Sequence, residues 1–85
     1  MLSFIADTNV ILRSIDPGSP QHTVATEAIA ALLRRGDQIF LTPQILIEFW
    51  AVATRPRNVN GFGWSVERTS QEVTALRAQF SLLTD

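Results

Sequence analysis

The chain has no cysteine, no lysine and a single histidine. Without cysteine it can build neither a disulfide framework nor a thiolate metal site. It also lacks any apolar run long enough to span a bilayer. The opening residues Met1-Leu2-Ser3-Phe4-Ile5-Ala6-Asp7 lack the basic segment of a secretion signal. The expectation is a cytoplasmic protein with no membrane partner. Charge of either sign is scarce. Seven basic residues stand against eight acidic ones, net -1, so overall charge gives no support for nucleic-acid binding. Every basic side chain is arginine, at positions 13, 34, 35, 55, 57, 68 and 77. Arginine is the better bidentate phosphate ligand.

What is present is apolar. Hydrophobic residues make up 46% of the chain and charged residues 18%, which argues against disorder. That balance also points to apolar surface for a partner or further sequence to cover. Eighty-five residues make one domain or part of one, with a marginal core.

Leu2 to Ala6 reads as a short strand buried on both faces, followed by Asp7-Thr8-Asn9 and a short helix through Val10-Ile11-Leu12. Asp16-Pro17-Gly18-Ser19-Pro20 is a turn, with Ser19 as N-cap and Pro20 at the first position of a second helix. That helix carries Val24, Ala25, Ala28, Ile29, Leu32 and Leu33 at three- and four-residue spacing and ends at Arg34-Arg35-Gly36. Gln38 to Leu41 is a second strand. Thr42-Pro43 opens a third helix through about Thr54, stopped by Pro56. A loop centred on Asn60-Gly61 follows. Ser65 caps a fourth helix whose stripe is Val66, Thr69, Val73, Leu76, Phe80 and Leu83. Strands alternating with helices imply a parallel sheet with right-handed crossovers. Two strands are too few for a self-sufficient sheet, and both expose edges.

In an open parallel sheet, ligands bind beyond the carboxyl ends of the strands. Asp7 lies at that end of the first strand. Thr42 lies at the same end of the second, with Glu48 on the helix just after it. Asp7 and Glu48 can therefore converge. Glu48 sits in Ile45-Leu46-Ile47-Glu48-Phe49-Trp50-Ala51-Val52, a run with no other charge, and an unpaired carboxylate in apolar surroundings is costly. Two facing carboxylates repel unless a cation separates them, and Mg²⁺ or Mn²⁺ suits such oxygen donors. The plainer readings stand beside these. Asp7 can simply cap a helix, and Glu48 can lie on a solvent face with Gln44 and Arg55. His22, in the first turn of its helix, is far more often structural than catalytic. Trp50 and Trp64 are more often core or interface residues than stacking platforms.

Taken together, Phe4-Ile5-Ala6-Asp7-Thr8-Asn9-Val10-Ile11-Leu12 resembles the opening strand and first acidic motif of PIN domains. Ser19-Pro20-Gln21-His22 followed by Ala25 looks like their second helix. Leu41-Thr42-Pro43-Gln44-Ile45-Leu46-Ile47-Glu48-Phe49 is similar to the segment carrying their second acid. Ala53-Thr54-Arg55-Pro56 and Asn60-Gly61-Phe62-Gly63 look like the continuation in VapC-like members.

The resemblance implies an α/β, PIN-like three-layer fold with a parallel sheet, incomplete here at two strands and about four helices. Residues 1–85 would form a partial PIN domain lacking its C-terminal part, because the family carries further acids downstream. Asp16 and Asp85 match no catalytic position. The implied function is a Mg²⁺- or Mn²⁺-dependent ribonuclease, the toxin of a type II toxin–antitoxin pair. The metal would activate water for in-line attack on a phosphodiester. Asp7 and Glu48 would be its catalytic metal ligands, supported by Asn9 with Thr8 or Thr42. Implied partners are an RNA substrate, a cognate antitoxin and a second copy in a homodimer. A site with half its ligands should bind Mg²⁺ poorly, so the alternative is a catalytically inactive PIN fragment that serves as a protein–protein interaction module. A third reading, a small α/β domain without an acidic site, requires Asp7 and Glu48 to lie far apart.

Overall fold

Strand β1 spans Ser3–Ile5, and helix α1 spans Thr8–Ile15. Helix α2 covers His22–Arg34, strand β2 Gln38–Leu41 and helix α3 Pro43–Thr54. A 3₁₀ turn at Arg57–Val59 precedes helix α4, Val66–Gln79, and strand β3, Ser81–Leu82. These elements come from a computed structural model that describes residues 2–83, so Asp85 lies outside the described residues. The three strands form one parallel sheet in the order β1-β2-β3. Ser3, Phe4 and Ile5 pair with Gln38, Ile39 and Phe40, and Phe40 and Leu41 with Ser81 and Leu82.

The third strand corrects the two-strand expectation. The stripe of the last helix seemed to continue through Phe80 and Leu83, but the helix stops at Gln79 and Phe80 turns extended. The open edge of β2 wins this competition. It supplies ladder partners, including Leu83 N–H to Leu41 O at 2.7 Å. Phe80, at the bend, is buried. The second helix also starts later than expected. Ser19 and Pro20 form a turn closed by His22 N–H to Ser19 O, and α2 begins at His22 with no side-chain cap. Val24 and Val66, assigned to inward stripes, are exposed, and so is the whole of β1.

The core gathers on β2 and α3. Ile39 and Leu41, two residues apart, share a face of the strand and are both buried. Ile45, Phe49 and Ala53 bury one stripe of α3 at four-residue spacing. Ile11, Ile29, Leu76 and Phe80 join them in one cluster. Gly36 takes the left-handed conformation at φ 81°, as the end of α2 requires.

A second close fit holds the loop after α3. It folds back so that Phe62, Gly63 and Trp64 N–H groups bond to the carbonyls of Val52, Arg55 and Ala53. This satisfies acceptors that a helix end leaves open. A Cβ at Gly61 would stand 2.0 Å from Arg55 O. Trp64 is thereby seated against Phe62 and edge-on to Phe49, with ring centroids 5.0 and 6.1 Å away.

Candidate functional site

The carboxyl ends of β1 and β2 each lead directly into a helix, and both helices are capped by the residue at the junction. Asp7 is the N-cap of α1 and accepts from Asn9 N–H through Oδ1 at 2.7 Å. Thr42 is the N-cap of α3 and accepts from Ile45 N–H at 3.2 Å. These are the bonds expected of residues with extended backbone before a helix. Parallel pairing of β1 with β2 then sets the first turns of α1 and α3 side by side. Thr8, at the start of α1, donates its hydroxyl to Glu48 Oε2 on α3 at 2.7 Å, across 40 residues of sequence.

An open cleft of about 430 Å³ forms there, lined by Asp7, Thr8, Asn9, Leu12, Glu48, Val52 and Arg55. Four of the five residues singled out from the sequence therefore meet in one place. The fifth, Thr42, does not line the cleft, and its hydroxyl is used in capping. Asp7 and Glu48 both line this cleft.

The electrostatics follow from these contacts. Hydrogen bonds from Thr8 first, and from Gln44 second, hold the Glu48 carboxyl below its ordinary pKa of 4.5. Slight desolvation and the nearby negative charge of Asp7 act the other way. The Gln44 amide donates to Glu48 Oε1 at 3.1 Å.

Glu48 is exposed, as one of the two readings of its sequence had it, and is not held among apolar side chains. The helical period turns Ile45 and Phe49 inward and leaves Glu48 outward, despite the apolar sequence around it. Gln44 belongs to the site as a donor. Its signal was the four-residue spacing to Glu48, which places the two side chains together on a helix face.

Other charged groups fall outside the cleft. Asp37 is buried and ties the start of β1 to β2, accepting from Leu2 N–H through Oδ1 at 2.9 Å. Its Oδ2 lies 2.7 Å from Arg35 Nη2 but outside hydrogen-bonding alignment, so this is a Coulombic contact. His22 Nδ1 stands 2.9 Å from Arg13 O and links α2 to α1, a structural role.

The donors in the cleft are two carboxylates, a hydroxyl and an amide, all oxygen-bearing and open to water. That set fits a hard divalent ion that keeps several waters and takes one or two carboxylates. Among the described residues, no group of three or more His, Asp or Glu lies together. Any such ion would rest on Asp7 and Glu48 with a large water complement. No family model matches this chain, and no curated protein or solved structure matches it. No helix of the described residues is long and apolar enough to cross a membrane.

Proposed function

We propose that this chain is a PIN-type, metal-dependent ribonuclease module of cytoplasmic origin, part of a three-layer PIN-like fold and of the toxin class. The observation that carries the reading is the Thr8–Glu48 bond, which brings Glu48 of α3 to the residue after Asp7, so that both acids line one cleft at the carboxyl edge of a parallel sheet. Asp7 and Glu48 would hold a Mg²⁺ or Mn²⁺ ion. The bound metal supplies a more acidic water and charge stabilisation for phosphodiester hydrolysis.

The chain's own residues do the rest. The Thr8 and Gln44 donors bond to the two oxygens of the Glu48 carboxylate, lower its pKa and fix its rotamer. The cap on Asp7 fixes its carboxylate against α1. Leu12 and Val52 give the cleft apolar walls, and Arg55 brings a cation to its rim.

The test is cleavage of a labelled RNA by the full chain with Mg²⁺, with Mn²⁺ and with EDTA. The reading predicts cleavage with either metal, none in EDTA, and about a 100-fold or larger loss in Asp7→Asn or Glu48→Gln. Cleavage that survives EDTA or both substitutions would overturn it.

A second reading, an inactive module that binds an antitoxin or a second copy, is favoured by one observation. Leu46, Ile47, Trp50 and Val73 line an apolar hollow of about 260 Å³ on α3 and α4, with Ile47 62% exposed. Exposed apolar patches of this kind mark interaction surfaces. Absence of metal-dependent cleavage in the experiment above would leave this reading in place.

A further inference from the structure

The loop after α3 joins the acidic cleft to a second, separate one. Arg55 lines the first, and Arg57, two residues on, lines the second together with Asp16, Gly61, Trp64 and Arg68. Three of the seven arginines thus line these two clefts. The second cleft is held in shape. Arg68 lies over the Trp64 ring, its guanidinium 4.1 Å from the centroid, and Trp64 is itself wedged against Phe49 and Phe62. Gly63 stands close enough to Arg57 that a Cβ there would meet Arg57 Cγ at 3.3 Å. Arg68 also sits in the first turn of α4, where the helix dipole adds positive potential.

Asp16 is the acid in this cleft. Its Oδ1 accepts from Gly18 N–H at 3.0 Å, and the one ion pair among the described residues is Arg35–Asp37. Neither guanidinium is therefore neutralised at contact distance. The Arg68 fork, held over Trp64, loses little entropy when it grips a phosphate, and lysine lacks the planar fork that binds phosphate through two bonds.

We infer that Arg57 and Arg68 grip the sugar–phosphate backbone of the RNA strand whose scissile bond lies at Asp7 and Glu48, with Arg55 as the step between. This rests on the ribonuclease reading. Asp7 and Asp16 cap the two ends of α1. Nine residues at ~1.5 Å each make the rise along α1 from Asp7, in the first cleft, to Asp16, in the second, about 13.5 Å. That is roughly four nucleotides at ~3.4 Å per nucleotide of a stacked strand. The grip reads backbone charge, not base identity.

The experiment is binding of a fluorescent single-stranded RNA 12-mer to the full chain in EDTA, across a series of salt concentrations. RNA length is checked by gel afterwards. Arg57→Gln/Arg68→Gln is compared with wild type and with Arg34→Gln/Arg77→Gln, which has the same net charge but alters the far ends of α2 and α4. The grip predicts about tenfold or greater weakening in the first variant at low salt. It also predicts a fall of about 1.4 in the slope of log affinity against log salt. The control should bind as wild type does.

Equal weakening in both double variants, no weakening in either, or no binding by wild type would overturn the inference. A circular dichroism melt shows whether Arg57→Gln/Arg68→Gln is folded. If it is not, Arg57→Lys/Arg68→Lys, which keeps the charge but loses the fork, must weaken binding for the inference to stand. Wild-type binding lost in Arg57→Gln/Arg68→Gln without any metal-dependent cleavage would sink the nuclease reading and keep this contact. Metal-dependent cleavage with unaltered binding would do the reverse.

Discussion

The Thr8 hydroxyl is the chief of the contacts that lower the Glu48 pKa. Replacing Thr8 by valine keeps the shape and removes the donor, so the Glu48 pKa should rise toward its ordinary value of 4.5. A ¹³C-detected carboxyl titration of wild type and Thr8→Val reads this directly. No shift between the two would show that Thr8 is not the chief cause. The sign for stability follows from the same bond. Glu48 has a depressed folded-state pKa, so its contribution is fully present above the ordinary carboxylate range. It is lost as pH falls through the depressed value. The meeting of Asp7 with Glu48 was legible from the positions of two strand ends. The Thr8 bridge was not, because a hydroxyl's partner 40 residues away depends on strand register and helix rotation together. The sequence left the exposure of Glu48 open for a related reason. An apolar run in a helix faces both ways, and sequence neighbours are not spatial ones.

At the scale of elements, the strand–helix alternation and most helix ends could be read because each end carries its own chemistry. Asp7, Thr42 and Ser65 cap, Pro43 opens α3, and Gly36 closes α2. The third strand could not be read, since Phe80-Ser81-Leu82 suits a helix stripe until the edge of β2 is offered to it. The fold-back after α3 was visible only as an Asn-Gly turn, with Asn60 indeed left-handed at φ 64°. Its tightness makes a prediction. Gly61→Ala should cost about 2 kcal/mol or more, because the new Cβ meets backbone that cannot yield. Gly36→Ala, at φ 81° but with open space around it, should cost only about 1–2 kcal/mol. Urea denaturation of the two variants checks the order. A milder effect at Gly61 would mean that the loop does not hold the carbonyl end of α3 as described.

The whole molecule is a plate of 41 × 31 × 17 Å. It exposes 5501 Å², where a compact monomer of its mass exposes about 5,000 Å². That excess fits the apolar composition, the exposed β1 and the bare hollow on α3. The plate also explains why the acidic cleft is open and wet: α1 and α3 flank it, and nothing among the described residues roofs it. An open pair of carboxylates is a site only if a cation draws them together. Substoichiometric Mn²⁺ added to ¹⁵N-labelled protein checks this, because the ion broadens nearby amide signals. Early loss of the Asp7, Thr8, Asn9 and Glu48 signals is expected, abolished in Asp7→Asn/Glu48→Gln. Broadening spread evenly over surface acids, or unchanged in that variant, would contradict it.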